Sequence, residues 1–497
     1  MTPLAPEQGG RGWLRRLAVD TLVLSAAQAL NRAKGLVLIP LVVSGVGLDG
    51  YGAFVQILAI VQLLTSVTTL ELGMGIERFA SVLTDDEQDE RGQHFWSVVA
   101  ATATLATVGA AVFALASPAI ADLLLAGHHQ DALAIASFVL ISNSIFSVAR
   151  HQLRARRQFK LESGLSLLYQ LGPYVALVVL VLARGDLTLG LIGYAAADAV
   201  AAATALVAAA RTLPLRRPSG ALLRRYARYS APLALSVIEG SLLARVDLFF
   251  LGSMLGLEAV AAYNVAYRLC ELLHLATGPI HVQLLAYLSG PWDRGEHDVV
   301  RRVLRHALQL LMLLAAGLIA GLIAYLDPLL ALLLGDARPE ASLQPVVLLV
   351  GLGLVANTIR RMLYVVIRLE QRTHRELLYQ AIGLSINIAA NLVLIPPFGL
   401  AGAAAATLLA YTAMLPFIAR HHTIGLDLAF IGQSIWFACL AAVSAWLFAG
   451  LVRPGDLLGL AASSLATGLL YVALVIGTRW SWLKALRADL SGLRSEP

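Results

Sequence analysis

The sequence of 497 residues is poor in charge and has almost no cysteine. Asp, Glu, Lys and Arg make up 14% of it, whereas soluble domains average about 25%. With 58% hydrophobic residues and a mean hydropathy of +0.75, this shortage excludes a soluble globular protein. The two cysteines, Cys270 and Cys439, form no CxxC pair and lack metal-ligand spacing, so we expect neither a disulfide framework nor a metal site.

Signatures of nucleotide-driven and hydrolytic chemistry are also missing. The chain contains no Walker sequence, no HExxH and no GxSxG, and it has no polar stretch that could form a soluble catalytic domain. We therefore expect a protein that is not an enzyme and that uses no cofactor.

Long apolar runs are what the chain has in abundance. A bilayer core is crossed by about 20 apolar residues in a helix, and such runs recur fourteen times. Their length favours helices, since barrel strands would be shorter and alternate with period two. The predicted fold is an all-α polytopic membrane protein with spans near 17–44, 53–76, 94–116, 132–151, 161–183, 188–210, 230–255, 257–288, 301–326, 343–367, 377–396, 399–419, 428–450 and 455–478.

Lys and Arg are distributed unevenly between the connecting segments. With a cytoplasmic N-terminus, all but seven of the 37 fall on the inner side, three fall in outer loops and four inside spans. Cytoplasmic loops keep Lys and Arg, so this pattern predicts a multi-pass inner-membrane protein with both termini cytoplasmic. The net charge of +6 then reflects topology, and no nucleic-acid partner is expected. The basic clusters at 150–160 and 211–228 are interpreted as orientation signals beside membrane lipids, not as sites.

Four cations lie inside predicted spans: Arg32, Lys34, Arg245 and Arg268. Each costs roughly 2.5 to 3.5 kcal/mol at mid-membrane, and such residues usually face a bundle interior or a water-filled cavity. The four residues are therefore candidate ligands of an anionic cargo.

Three sequence matches recur at an offset of about 209 residues. The segment 47–54 aligns with 256–263, the segment 118–127 with 328–335, and 167–170 with 377–380. The agreement predicts two six-helix repeats, related by a pseudo-twofold axis along the membrane normal, with two further helices. The expected units are a cytoplasmic segment 1–16, lobes 17–210 and 230–427 joined by a basic linker 211–229, added spans 428–478, and a cytoplasmic tail 479–497.

Transporters built from such repeats bind cargo between the halves, so the first helix of each half should line the site. Polar residues follow one face of the first span, where Gln28 and Asn31 accompany Arg32. In the seventh span Glu239 and Asp247 are candidates for a polar wall or for H⁺ or Na⁺ coupling.

Interhelical salt bridges are the alternative role for these charges, for instance Asp247 with Arg268 or Glu71 with Lys34. Asn387 and Asn391, one helical turn apart, are expected to make interhelical hydrogen bonds rather than cargo contacts.

In order and spacing, five segments together resemble one known family. They are Asn31-Arg32, 47–54, 71–78 with its Leu-Gly stretch ending in Arg, 154–159, and 231–273 with Arg245-Val246-Asp247 and Tyr263 to Leu269. The chain resembles the polysaccharide or oligosaccharide flippases of the multidrug/oligosaccharidyl-lipid/polysaccharide exporter superfamily. The resemblance implies alternating-access transfer of an undecaprenyl-diphosphate-linked glycan across a bacterial inner membrane for surface polysaccharide biosynthesis, alongside other polysaccharide assembly proteins.

Three other functions stay open at this stage. A peptidoglycan lipid II flippase would share the helix number and a cationic cavity. A multidrug exporter usually carries cations and has twelve helices, which fits a cationic interior poorly. A membrane glycan polymerase or ligase needs catalytic groups on the outer side, where the predicted loops are short and nearly uncharged.

Overall fold

The computed structural model describes residues 12–83, 87–339, 341–420, a few positions between 436 and 447, and 457–478, with side chains described from residue 34 onward except at 275–283, 286, 373 and 457–458. All regular structure in these residues is helical. The helices are α1 (Gly12–Thr69), α2 (Leu72–Phe79), α3 (Gln88–Leu124), α4 (Gln130–Ala155), α5 (Phe159–Arg184), α6 (Leu187–Ala210), α7 (Gly220–Leu243), α8 (Val246–Leu255), α9 (Leu257–Cys270), α10 (Leu273–Asp293), α11 (His297–Ala324), α12 (Leu326–Leu334), α13 (Gln344–Leu369), α14 (Thr373–Arg420) and α15 (Leu457–Thr478).

The all-α membrane fold is confirmed. Within the described ranges, nine helices are long and apolar enough to cross a membrane. Two predicted spans fall in each of α1 and α14, because a glycine interrupts the helix at Gly47 and again at Gly399. The predicted span at 428–450 lies largely outside the described residues.

The predicted repeat is visible in the backbone. Gly47 has φ 74° and ψ −179°, and Gly256, at the matching position of the second half, has φ 89° and ψ −178°. A side chain is strained at such positive φ, which explains glycine at both places. The second match behaves in the same way, since Gly127 follows α3 and Gly335 follows α12, both with positive φ.

Helices α1–α6 form the N-terminal repeat and α7–α14 the C-terminal repeat. Their contact contains a shared apolar core in which Ile39, Ile57 and Leu251 are completely buried. A second cluster lies in the N-terminal repeat, yet it includes Tyr226 of α7. The Tyr226 hydroxyl lies 2.7 Å from Nδ1 of His94. Helix α7 therefore crosses from its own repeat to pack against the other.

The repeats approach most closely just beyond Gly47 and Gly256. A methyl group on Gly52 would lie 1.9 Å from the carbonyl oxygen of Leu257, so only glycine permits this contact. Beside it, the Tyr51 hydroxyl donates a buried hydrogen bond of 2.9 Å to Oδ1 of Asn264. These contacts join α1 to α9 beside the space between the repeats.

Candidate functional site

A cavity of about 790 Å³ lies between the two repeats. Its wall combines residues of α1, α4, α5 and α6 with residues of α8 and α9 and of the breaks before α8 and after α9. The cavity is therefore placed where the repeat prediction expected a cargo site.

Three of the four predicted cations line this cavity together: Lys34, Arg245 and Arg268. Arg268 repels both of the others electrostatically, so the three charges lie near one another. A methyl group at Gly35 would lie 3.9 Å from Cδ of Arg268, which brings the Arg268 side chain against α1. Both repeats thus contribute to one cationic cluster.

Arg245 occupies the break between α7 and α8. Its Nε donates to Oε1 of Gln62 at 3.0 Å, one of its terminal nitrogens also bonds that oxygen, and the other donates to the Ser241 carbonyl at 3.2 Å. Gln62 belongs to α1, so a neutral side chain of one repeat orients a cation of the other. Because its partners are neutral, Arg245 keeps its positive charge uncompensated by them.

Lys34 is held by groups of α5. Its Nζ donates to the Gln170 carbonyl at 3.0 Å and lies 4.1 Å from the ring centre of Tyr174. Both partners are uncharged, and a cation over an aromatic face is favourable without losing its charge.

Arg268 pairs with Glu271 at 2.8 Å, and 47% of the Arg268 side chain remains accessible. Its guanidinium is therefore only partly compensated. In sum, the cluster offers two cations with neutral partners and a third with one carboxylate.

The two salt bridges considered as alternatives are wrong. Arg268 pairs with Glu271 rather than with Asp247, and Asp247 is bound entirely by neutral donors. Lys34 makes its contacts with α5 and, among the described side chains, no ion pair with Glu71. The sequence pattern could not separate these options, since helical spacing does not identify the neighbouring helix.

Asp247 is fully enclosed at the cavity edge, with 5% of its surface accessible. Its Oδ2 accepts from the Tyr263 hydroxyl at 2.8 Å and from the Thr407 hydroxyl, and its Oδ1 accepts from Nδ2 of Asn391 at 2.9 Å. Three donors converging on one carboxylate offset part of the cost of burying it. The expected interhelical hydrogen bonds of Asn391 are confirmed, while Asn387 accepts from Asn391 at 2.9 Å.

Among the remaining predicted site residues, only Glu239 has a described side chain. Glu239 lies on α7 outside the lining, and its Oε2 has no hydrogen-bond partner among the described residues. Gln28, Asn31 and Arg32 belong to α1, but their side chains lie outside the described residues.

Several cavity residues were not predicted, notably Arg150, Gln62 and Glu271. Arg150 was interpreted as part of a cytoplasmic orientation signal. Asn143 and Ser147 precede Arg150 by seven and three residues, so all three lie on one face of α4. This shared polar face is the sequence signal that could have identified Arg150 as a cavity residue.

A family model for polysaccharide biosynthesis proteins matches residues 51–343, which is more than half of the chain. The chain belongs to the polysaccharide biosynthesis protein family. The matched region includes most of the cavity wall and the boundary between the repeats. A comparison with curated proteins by sequence finds no match.

Solved structures show that this polysaccharide biosynthesis family member has the fold of known flippases and exporters. The lipid II flippase MurJ, in an inward closed conformation, superposes with a TM-score of 0.77 at 13% identity, covering 93% of this chain and all of that one. An inward-facing multidrug resistance MATE family transporter of the MOP superfamily gives 0.58 at 14% identity, covering 83% and 95%. The expected membership of a polysaccharide biosynthesis family is confirmed by the family model, and the chain has the fold of these two structures.

Proposed function

We propose that the chain flips an undecaprenyl-diphosphate-linked oligosaccharide across a bacterial inner membrane, from the cytoplasmic to the periplasmic leaflet, by alternating access. The observation that carries the proposal is the cationic cluster of Lys34, Arg245 and Arg268, to which both repeats contribute within one cavity. Family membership supports a role in polysaccharide biosynthesis.

The electrostatics favour a diphosphate as the group held by this cluster. A diphosphate that loses its water in an apolar medium would cost tens of kcal/mol unless it is paired with cations. Arg presents paired donors to phosphate oxygens, and Arg245 and Arg268 both face the cavity. The same charges repel cationic drugs, so the multidrug exporter is the weaker alternative despite the shared fold.

The cavity also has room for part of a glycan. Its volume of about 790 Å³ is within the range of roughly 300 to 1,000 Å³ that ligand sites occupy. In this mechanism the diphosphate binds the cluster, the first sugars occupy the cavity, and the polyprenyl chain stays in lipid. Opening the contact between Gly52 and Leu257 would then expose the cargo to the other side.

The Asp247 cluster is the proposed site for a coupling ion, H⁺ or Na⁺. It gathers one carboxylate with the amide oxygen of Asn387 and the hydroxyl oxygen of Thr407, both from α14, and these are hard ligands suited to such a cation. Tyr263 donates a hydrogen bond to Asp247 and belongs to the cavity wall with Tyr267 and Asn264. Ion binding at Asp247 would therefore change the cargo site through Tyr263.

The test is leaflet transfer of a fluorescent undecaprenyl-diphosphate oligosaccharide in proteoliposomes. We compare the wild type with Lys34→Ala, Arg245→Ala and Arg268→Ala at equal insertion, using Arg294→Ala as the control because Arg294 lies outside the cavity in an ion pair with Glu296. The proposal expects wild-type transfer, loss in the three cavity variants, and retention in the control.

Two other cargoes, lipid II and a cationic dye, are tested in the same proteoliposomes to distinguish the alternative functions. Transfer of lipid II at the same rate would make the protein a lipid II flippase, and export of a cationic dye without glycan transfer would make it a drug exporter. Undiminished transfer in all three cavity variants would show that the cluster is structural.

A further inference from the structure

Arg150 is a fourth cation on the cavity wall, separate from the cluster of Lys34, Arg245 and Arg268. It lies on α4, five residues before the helix ends at Ala155. Its Nε is shielded from solvent and has no hydrogen-bond partner in the described part of the chain. A buried donor left in this state is costly, so the fold leaves Arg150 incompletely paired, and a ligand in the cavity would bond its terminal nitrogens.

The acids that could neutralise Arg150 are engaged elsewhere. Glu162 accepts two hydrogen bonds from Arg154, at 3.2 and 2.9 Å, and a third from Ser166. Glu77 lies 2.7 Å from Nδ1 of His151. Glu71 and Glu162 attract Arg150 only from a distance, without a hydrogen bond. Arg150 therefore retains a positive charge for the cavity.

The wall around Arg150 is neutral and polar, with an aromatic platform. Asn143 and Ser147 on α4 and Ser166 on α5 line the same cavity. Beside them Phe146 and Tyr169 stack with ring centres 3.7 Å apart and planes 5° from parallel. Hydroxyl and amide groups next to flat apolar rings match the alternating polar and apolar surfaces of a sugar.

Arg150 is offset from the cluster that would hold the diphosphate. Lys34 lies over the ring of Tyr174, whereas Tyr169 is the cavity-wall residue of α5 that acts electrostatically on Arg150, five residues or about 7.5 Å along the helix. The charged groups that act on Arg150 are Arg154, Glu162 and Glu71, and none belongs to the cluster. An anion at Arg150 would therefore be a different group from the diphosphate, about one sugar unit away.

We propose that Arg150 binds the carboxylate of an acidic sugar, a uronic acid at the first or second position after the diphosphate, and so selects anionic glycans. This inference rests on the proposed function and narrows its substrate class. Arg suits a carboxylate because two parallel N–H donors match its two oxygens. The neutral hydroxyl of Ser147 would orient the ring, and the ion pair would favour the acidic glycan over a neutral one of equal shape.

The experiment measures binding to purified protein in phosphatidylcholine nanodiscs, where no anionic head group competes. The neutral probe is an undecaprenyl-diphosphate disaccharide of two glucose units. The acidic probes carry glucuronic acid in place of one glucose, either at the second position or at the first, and each is compared with the neutral probe. Wild type is expected to prefer an acidic probe by about tenfold or more, the scale of one charge-assisted hydrogen bond. Arg150→Gln is expected to bring the acidic-to-neutral ratio close to one.

Three further variants separate this role from a general charge effect. Arg157→Gln removes an exposed cation in the adjacent turn, outside the cavity lining, and should keep the wild-type ratio. Arg154→Gln releases Glu162 to neutralise Arg150, so it should lower the ratio although Arg154 does not line the cavity. Arg150→Lys should retain part of the preference, since the charge remains without the paired donors.

Each outcome bears on one proposal. Equal binding of acidic and neutral probes by wild type, or equal weakening of both by Arg150→Gln with the ratio intact, would overturn the acidic-sugar site and make Arg150 a diphosphate or structural residue. Failure of wild type to bind any of the diphosphate lipids would instead overturn the proposed function. A lowered ratio in Arg157→Gln as well would reduce the effect to nonspecific surface charge.

Discussion

The two repeats build opposite walls of the cavity in different ways. In the N-terminal repeat, Lys34 and Arg150 lie within continuous helical stretches of α1 and α4. In the C-terminal repeat, Arg245 lies at the break between α7 and α8, and Glu271 at the break after α9. Broken helices are tolerated at membrane depth where they line a cavity, and they add unpaired backbone groups to its wall. The C-terminal wall is therefore the one that presents helix ends to the cavity.

A buried carboxylate in each repeat shows the same contrast. Asp247 in the C-terminal repeat receives bonds from Tyr263, Asn391 and Thr407. Asp198 in the N-terminal repeat is 1% accessible and receives one bond, from the Ser142 hydroxyl at 2.6 Å, while its Oδ1 has no partner among the described residues. The two carboxylates are similarly buried, but the C-terminal one has three hydrogen-bond donors and the N-terminal one has a single donor.

The largest expected effect comes from separating the repeats where they touch. Gly52→Ala places a methyl group 1.9 Å from the Leu257 carbonyl oxygen, so backbone must move. We expect a loss of about 3 kcal/mol in the free energy of unfolding, at the upper end for overpacking. The measurement is the thermal midpoint in detergent by fluorescence-detected size exclusion.

Gly164→Ala on α5 is the matched control, because a methyl group there meets nothing within 4 Å. It should leave the midpoint equal or slightly higher, since Ala favours a helix over Gly. Similar midpoints for the two variants would mean that the repeats do not press together at Gly52.

The next effect compares the two buried aspartates. Asp247 accepts hydrogen bonds from three donors, and Asp247→Asn replaces one of its two acceptor oxygens with a donor. The change should lower the free energy of unfolding by about 2 kcal/mol, the scale of hydrogen bonds to a charged group. Transfer and its dependence on Na⁺ or pH should fall with it. Asp198→Asn keeps an acceptor for Ser142 and should cost less than about 1 kcal/mol.

Thermal midpoints and proteoliposome transfer rates of both variants, measured at several Na⁺ concentrations and pH values, decide this comparison. Asp198→Asn as damaging as Asp247→Asn would place the coupling site in both repeats. Retained ion dependence in Asp247→Asn would remove Asp247 from the coupling role.

The smallest effect tests how each wall anchors its cation. Gln62→Ala removes the side-chain acceptor of Arg245 and should weaken binding of the diphosphate lipid by about fivefold, or roughly 1 kcal/mol. Gln170→Ala should have a smaller effect, because Lys34 bonds the Gln170 backbone carbonyl, which alanine retains. Dissociation constants in nanodiscs provide the measurement, and a greater loss for Gln170→Ala would reverse the assignment of the two anchors.

Composition and pattern determined the class of this protein and much of its architecture. Apolar runs long enough for a bilayer require helices, since every backbone group must be bonded within lipid. The repeat offset aligned Gly47 with Gly256, and the structure gives both the same backbone conformation. The rarity of charge was itself the signal that marked Lys34, Arg245 and Arg268, because a cation inside a span needs a polar surrounding.

The tertiary structure alone decided which partners these residues have. Gln62 lies 183 positions from Arg245, and Asn391 lies 144 positions from Asp247, so no local pattern could join them. Helical periodicity shows that residues share a face, but which helix packs against that face depends on the fit of whole surfaces. For the same reason Arg150 resembled a loop charge in the sequence, and only the packing of α4 against α5 placed it on the cavity wall.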